Sequence, residues 1–203
     1  MRLIILLLYL LAAQAWAQTN LSVFYALNPR TEVLNNQENI LNKYWRNGIS
    51  LGAGYETSIS TNISIASTIE TAYYKWDNFD YRGPMIPEIR LKSAQGEDSR
   101  IWRLFLEGKF KSPSRVVPMY VSTGLGYIIE NIGGITTTYS DMNGPDITYI
   151  GVSQTKKYFV HTVGIGLQCP IISNYGIDIR ALYFSDYSTH FQTAIVFGII
   201  YSI

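Results

Sequence analysis

The chain has 203 residues and a formal net charge of +1. Only 15% of its residues are charged, and its 14% aromatic content includes 16 tyrosines. The near-neutral balance gives no whole-chain reason to expect nucleic acid or an acidic surface as a partner. The single cysteine, Cys169, excludes an internal disulfide. The charge-poor, tyrosine-rich composition favours contact with lipid.

The first predicted element is a secretory signal peptide at residues 1–17. It has a basic residue at Arg2, an apolar run from Leu3 to Leu11, and the small-residue exit Ala15-Trp16-Ala17. The apolar run is about half the roughly 20 residues that a membrane-spanning helix needs. We therefore expect residues 1–17 to be removed and residues 18–203 to form one domain. An uncleaved anchor is the alternative.

The remainder of the chain predicts an all-β fold, because period-two alternation recurs and sustained helical spacing is absent. In the segment from Gly48 to Tyr55, one face carries Ile, Leu, Ala and Tyr, whereas the other carries only Gly and Ser. The same division recurs in residues 119–129 and 159–167. We predict eight strands, at about residues 20–27, 47–59, 62–75, 100–111, 118–130, 156–168, 175–186 and 190–202.

The predicted connections alternate between long and short. Residues 28–47 form an irregular or short helical segment, and residues 76–99 form a second long loop. Residues 131–155 contain a hairpin of their own, because Asn143-Gly144 suits a tight reversal. Cys169-Pro170 is expected in a turn. An even strand number with short turns at one end and long loops at the other is typical of outer-membrane barrels. We therefore predict an eight-stranded antiparallel up-and-down transmembrane β-barrel with both chain ends in the periplasm.

The two faces of the predicted strands assign the inside and outside of this barrel. Apolar alternate positions, such as Ile49, Leu125, Ile165 and Ile195, are expected to touch lipid, while glycines and serines relieve crowding in a narrow lumen. Aromatic residues near the strand ends suit the membrane interfaces. Charged residues share the non-lipid parity. Six of them are expected to form a paired polar network that plugs the lumen: Glu70, Arg103, Glu107, Lys109, Asp178 and Arg180. The alternative is that these six residues form a selectivity ring or a catalytic cluster.

With these strands and the terminal segment Phe197-Gly198-Ile199-Ile200-Tyr201-Ser202-Ile203, the chain resembles the small eight-stranded bacterial outer-membrane β-barrel family. That family includes adhesin-like barrels, structural barrels and a few lipid-modifying enzymes. The resemblance implies location in the outer membrane, contact with outer-membrane lipid and lipopolysaccharide, and assembly by the barrel-assembly machinery. Members usually end in Phe or Trp, and Ile203 departs from this pattern.

The expected function is a structural or surface-interaction role, in which an external protein or surface ligand binds the loops or the edge of the protruding hairpin. We expect no catalytic residue, cofactor or metal. The acidic residues of segment 76–99 are expected on a solvated surface.

Two other classes of function remain open. One is an outer-leaflet lipid hydrolase similar to lipid A deacylases, for which Asp186-Tyr187-Ser188-Thr189-His190 offers the residue types without the expected spacing. The other is a soluble lipocalin-like carrier of small ligands, with its apolar faces turned inward.

Overall fold

The computed structural model describes residues 19–28, 48–77, 89–113, 119–141, 144–186 and 191–203. The expected signal peptide, most of segment 28–47, the Asn143 position and His190 lie outside these ranges. No helix among the described residues is long and apolar enough to cross a membrane.

The described residues form eleven β-strands. These are β1 Thr19–Asn28, β2 Gly48–Ser58, β3 Ile63–Tyr74, β4 Ile89–Gly96, β5 Ser99–Lys111, β6 Met119–Ile132, β7 Ile135–Asp141, β8 Ile147–Gly151, β9 Gln154–Ile172, β10 Tyr175–Ser185 and β11 Phe191–Ser202.

Eight of these strands close into a barrel, in the order β1-β2-β3-β5-β6-β9-β10-β11. All neighbours are antiparallel, and β1 pairs with both β2 and β11. Tyr25, for example, lies opposite Leu51 on one side and Phe197 on the other. Closure leaves no open edge within the barrel wall, so every strand there has two hydrogen-bonded neighbours. The predicted fold class and all eight predicted strands are confirmed.

Both described ends of the chain lie at one end of the barrel, which we call the turn end. The Ile203 N–H donates to the Thr19 carbonyl at 2.8 Å, and the Ser202 N–H donates to the Asn174 carbonyl at 2.7 Å. The connections 59–62 and 173–174 also lie at this end, and there the Ser112 N–H donates to the Met119 carbonyl at 2.7 Å. We call the opposite end, where β1 ends at Asn28 and β2 begins at Gly48, the loop end.

The prediction that Cys169 lies in a turn is wrong, because β9 continues to Ile172 and Cys169 pairs with Ile177. Proline lacks the N–H that a regular ladder requires. Here Pro170 lies opposite Gly176, and the register shifts between Tyr175 and Gly176. The irregular pairing allows the proline to remain inside a strand, and the turn follows at Ser173-Asn174.

A second, three-stranded sheet stands at the loop end in the order β4-β7-β8. The predicted hairpin is confirmed, since β7 and β8 pair antiparallel from Ile135↔Gly151 to Tyr139↔Ile147. Segment 76–99 is not only the loop that we expected, because β4 pairs with β7. Apolar and charged residues alternate in β4 only from Ile89 to Lys92, and the pattern ends there. It is a strand because the hairpin offers its backbone a partner.

The apolar positions of the barrel strands point outward, as predicted. Ile49, Leu125, Ile165 and Ile195 are 50%, 57%, 53% and 45% exposed, and they do not converge on a shared core. A soluble carrier with its apolar faces inside is therefore excluded. Because the barrel is closed and its outer wall is apolar, the wall meets lipid.

The glycine-lined inner face receives aromatic rings from neighbouring strands. Phe24 is buried and lies opposite Gly52, and a Cβ on Gly52 would come within 2.3 Å of Phe24 Cζ. Phe105 and Tyr120 lie in the same way opposite Gly126 and Gly166. These glycines leave room for rings that fill the lumen.

Candidate functional site

The barrel interior near the turn end holds a cluster of charged side chains, which we call the lower cluster: Glu56, Lys109, Lys111 and Asp178. Lys109 Nζ donates to Glu56 Oε2 at 2.7 Å and lies 4.0 Å from Asp178 Oδ2, and Lys111 pairs with the other Glu56 oxygen. Ser64 Oγ donates to Glu56 Oε1 at 2.9 Å. All four carboxylate oxygens of the cluster therefore face donors or cations, because Tyr120 also donates to Asp178 Oδ1 at 2.7 Å.

A second group is the buried pair Glu107–Arg180. Arg180 Nη1 donates to Glu107 Oε2 at 2.9 Å, and the hydroxyls of Ser122 and Thr162 each donate to Glu107 Oε1 at 3.3 Å. The Glu107 carboxylate thus has partners from three other strands. A buried charge without such partners is strongly destabilising, so the pair fixes these strands to one another across the lumen.

The third group lies closer to the loop end and is built around Arg103. It pairs with Glu70, and its Nη2 donates to Gln192 Oε1 at 3.0 Å and to the Tyr74 hydroxyl at 3.2 Å. Its guanidinium lies 4.8 Å from the ring centroid of Phe184, at cation–π distance. Buried apolar side chains, among them Ile101, Phe105 and Phe184, pack in the same part of the lumen.

All six residues singled out from the sequence point into the lumen, and each is buried. Their hydrogen bonds and ion pairs form the three groups described above. Sequence reasoning missed Glu56, although it shares the inward parity of Gly48, Ser50, Gly52 and Gly54. The alternation along β2 continues to Ser58, so the same parity that marks the inward charges of β3, β5 and β10 identifies Glu56 as inward.

An apolar cluster occupies the loop-end half of the interior. Its members are buried and come from seven of the eight barrel strands: Phe24, Ala26, Ala72, Tyr74, Ile101, Phe105, Ile128, Ile132, Val160, Leu182, Phe184, Ala194 and Val196. The polar lumen expected from the sequence is therefore polar at the turn end and largely apolar at the loop end.

The base of the three-stranded sheet β4-β7-β8 is held by hydrogen bonds to the β4–β5 connection. The Glu97 N–H donates to the Gly134 carbonyl at 3.0 Å, and the Gly134 N–H donates back to Glu97 Oε2 at 3.3 Å. The Gly133 N–H donates to Ser99 Oγ at 2.9 Å. We call these contacts the clamp. They fix the angle at which β7 leaves the end of β6.

Asp98 ties the end of β3 to the same connection. Its carboxylate accepts the Trp76 N–H at 2.9 Å and the Tyr73 hydroxyl. These two donors hold the pKa of the Asp98 carboxyl below its usual range. Glu97 and Asp98 are both exposed, as expected for a solvated acidic surface, and they also accept hydrogen bonds that join the connection to β3 and β7.

The three-stranded sheet β4-β7-β8 has one outer side that lacks a strand partner among the described residues, and this side continues along β9 into the barrel. On one side, β4 pairs with β7 and β5 pairs with β6, so both β6 and β7 have a neighbour there. On the other side, β8 has no neighbour beyond β7, and β10 pairs with β9 only as far as Ser185↔His161. We call residues 147–151 and 154–160, which form this side, the free edge.

The two outer strands of the sheet differ in how they are protected. In β4, Arg90 and Lys92 are exposed and the register shifts between Leu91 and Ser93. In β8, Ile147-Thr148-Tyr149-Ile150-Gly151 contains no charge, proline or register shift. Charges and bulges are the devices that keep edge strands from pairing with other chains. Only β4 carries them.

The residue types considered for a lipid hydrolase are not assembled within the described parts of the chain. His161 is on the outward face of β9, and its Nε2 lies 3.4 Å from Thr123 Oγ1. Ser185 Oγ donates to the Asp186 carbonyl at 2.8 Å. Tyr187, Ser188 and His190 lie outside the described residues, and the described ones include no group of three or more His, Cys, Asp or Glu that could hold a metal ion.

A closed eight-stranded barrel with an apolar outer wall and a filled interior defines a small transmembrane β-barrel. No protein-family model and no curated protein matches the sequence. Solved structures do match. Ail, the attachment invasion locus protein of Yersinia pestis, superposes with a TM-score of 0.54 at 14% identity, covering 92% of this chain and 99% of Ail.

Neisserial surface protein A superposes with a TM-score of 0.52 at 11% identity, covering 92% of this chain and 97% of that protein. A structure of Ail with the heparin analogue sucrose octasulfate gives a TM-score of 0.52 at 15% identity, covering 92% and 99%. The chain therefore has the fold of the small eight-stranded outer-membrane β-barrels. A protein with this fold and this apolar wall is located in the bacterial outer membrane.

Proposed function

We propose that this barrel is a surface-interaction protein that binds an external polypeptide by adding an extended segment to its free edge. The observation that carries the proposal is the unprotected β8 strand. Ile150 and the adjacent Val152 are 75% and 79% exposed, and within the described ranges β8 has a hydrogen-bonded neighbour, β7, on one side only. An exposed edge of this kind supplies main-chain hydrogen bonds to an incoming strand, while its side chains provide specificity.

The clamp supports this proposal because it makes the edge rigid before a partner arrives. A preformed strand loses less conformational entropy on binding than a mobile loop would. The contacts of Glu97 with Gly134 and of Ser99 with Gly133 fix the base of the sheet to the barrel. The sheet is thus held as a fixed platform at the loop end.

The structural neighbours agree with a role at the cell surface. By their names, Ail is an attachment protein and Neisserial surface protein A is a surface protein, and one Ail structure holds a heparin analogue. We extend the surface role to this chain on the strength of the free edge. Its further proposed contacts are outer-membrane lipid, lipopolysaccharide and the barrel-assembly machinery, as the family resemblance implies.

The proposed role involves neither an open channel nor catalysis. The loop-end half of the lumen is filled by apolar side chains, and the charged groups below it are paired. We propose that the protein does not turn over lipid. Mass spectrometry of lipid A and phospholipids should then show the same species in cells with and without it, and a new deacylated species would contradict this part of the proposal.

The test uses a peptide with the sequence of residues 129–139, because this segment of the protein already pairs with the free-edge strands. It lies on their other side, in a register that runs from Ile129↔Lys157 to Tyr139↔Ile147. A fluorescent peptide of this sequence should bind the full protein in lipid nanodiscs, as measured by anisotropy. The same peptide with alternate backbone nitrogens methylated should not bind, because it cannot form a strand ladder.

A pair of variants locates the binding. Replacing Thr148 and Ile150 together by Lys places charge on β8 and should weaken binding of the peptide. Gln95→Lys, which adds charge to the exposed face of β4, should leave binding unchanged. If neither peptide binds, or if the methylated peptide binds equally well, the free edge is not a docking site.

A further inference from the structure

The chemistry of the free edge is not uniform along its length. Its outer part, β8, is uncharged and apolar, whereas its inner part carries Lys156 and Lys157 side by side on β9. Both lysines are exposed. Consecutive residues of a strand point to opposite faces, so a strand added at this edge passes between two cations.

From this asymmetry we infer that the occupant of the free edge is an acidic extended polypeptide segment, with its apolar part along β8 and carboxylates beside Lys156 and Lys157. The inference rests on the proposed function and names the partner's chemistry. Pairing of the partner's carboxylates with the two lysines stabilises the one strand register in which these charges lie side by side.

The two lysines are available to such a partner. Neither forms an ion pair with a carboxylate of the described residues. Glu130 is the cross-strand partner of Lys156, but its carboxylate is buried and accepts the Tyr158 hydroxyl. Within the described residues, the neighbouring strand β6 therefore supplies no salt-bridge partner for Lys156 or Lys157.

The cations of β4 lie on the opposite outer strand of the sheet, away from the free edge. One of them, Lys92, pairs with Asp146, which directly precedes β8, so that its charge is neutralised within the sheet. The unprotected edge and the unpaired lysines thus coincide on the same side of the sheet. The edge accepts an extended strand, and the two lysines favour an acidic strand over a basic one, which like charge would repel.

The test varies only the two peptide positions that face the lysines. In the peptide of residues 129–139, Ile129 and Glu130 are replaced by Glu-Glu, Gln-Gln or Lys-Lys, and affinities for the full protein in nanodiscs are measured at low and high salt. We expect Glu-Glu to bind about fivefold more tightly than Gln-Gln at low salt, and Lys-Lys to bind weakest. The difference should shrink at high salt because exposed charges are screened.

A charge-reversal variant is the matched control. In the double variant Lys156→Glu and Lys157→Glu, the order should reverse so that Lys-Lys binds most tightly, while Gln-Gln is unchanged. Equal affinities of the three peptides would overturn the acidic-partner inference and leave strand addition standing. Failure of all three to bind would remove the proposed function itself.

A sulfated sugar tests the competing class of anionic partner. Sucrose octasulfate should displace the Glu-Glu peptide at most weakly, because a saccharide gains nothing from the backbone edge. If it binds the parent more tightly than any peptide and loses this affinity in the charge-reversal variant, the lysines serve an anionic glycan and the inference is wrong.

Discussion

Tyr120 lies directly opposite Gly166 on the neighbouring strand, and its ring occupies the space where a side chain of residue 166 would be. A Cβ there would be 2.4 Å from Tyr120 Cζ, and the ring's hydroxyl donates to Asp178 at 2.7 Å. The same ring lies 4.6 Å from Lys109 Nζ. The glycine therefore sets the position of a ring that organises the lower cluster.

Gly166→Ala is expected to destabilise the barrel by about 1 to 3 kcal/mol, because the added methyl must displace the Tyr120 ring from its charged neighbours. Urea unfolding in detergent, followed by the gel shift between unboiled and boiled protein, measures the loss. Gly108→Ala is the control, since its nearest neighbour would be 3.9 Å away. Equal stability of the two variants would show that the close approach at Gly166 does not matter.

Arg180→Met should destabilise the protein by about 3 to 5 kcal/mol, because it leaves the Glu107 carboxylate buried without its cation. Adding Glu107→Leu should recover most of that loss, since no unpaired charge then remains. Unfolding free energies of both single variants, the double variant and the parent form a complete cycle. Additive losses would mean that the pair does not interact.

The hydrogen bonds to Asp98 predict a pH dependence at the loop end. Because the pKa of the folded carboxyl is lowered, its contribution to stability is present above the pKa of an unfolded aspartate, about 3.9, and is lost as the pH falls through the folded value. Protection of the Trp76 amide against hydrogen exchange should therefore fall at acidic pH. Asp98→Asn should remove that dependence, and an unchanged profile in this variant would assign it to another group.

The filled interior predicts that the parent protein shows no open-pore conductance in planar bilayers. Phe105→Ala combined with Phe184→Ala removes two buried rings whose centroids are 5.7 Å apart, and should increase ion leakage through the lumen. Leu104→Ala is the control, because this residue of the same strand faces outward. Large conductance steps in the parent would contradict a filled lumen.

The barrel strands were predictable because the alternation of residue types within each strand shows which side chains face the lumen and which face lipid. In residues 48–55, apolar and glycine positions alternate with period two, and a shift of one residue would reverse every side chain. The inward parity of Arg103, Glu107 and Lys109 could be read in the same way. The sequence could not show which charges meet, because Glu107 and Arg180 are 73 positions apart and only barrel closure brings them together.

The sequence by itself determined the number of barrel strands, their up-and-down order and the outward direction of the apolar face, since these follow from local periodicity and the cost of exposing charge to lipid. The tertiary structure decided that β4 joins the hairpin, that apolar rings fill the loop-end interior and that β8 is an outer strand of its sheet among the described strands. Those features depend on backbone pairing and on rings from one strand entering the space above a glycine of another. Neither leaves a periodic signal in a single segment of the chain.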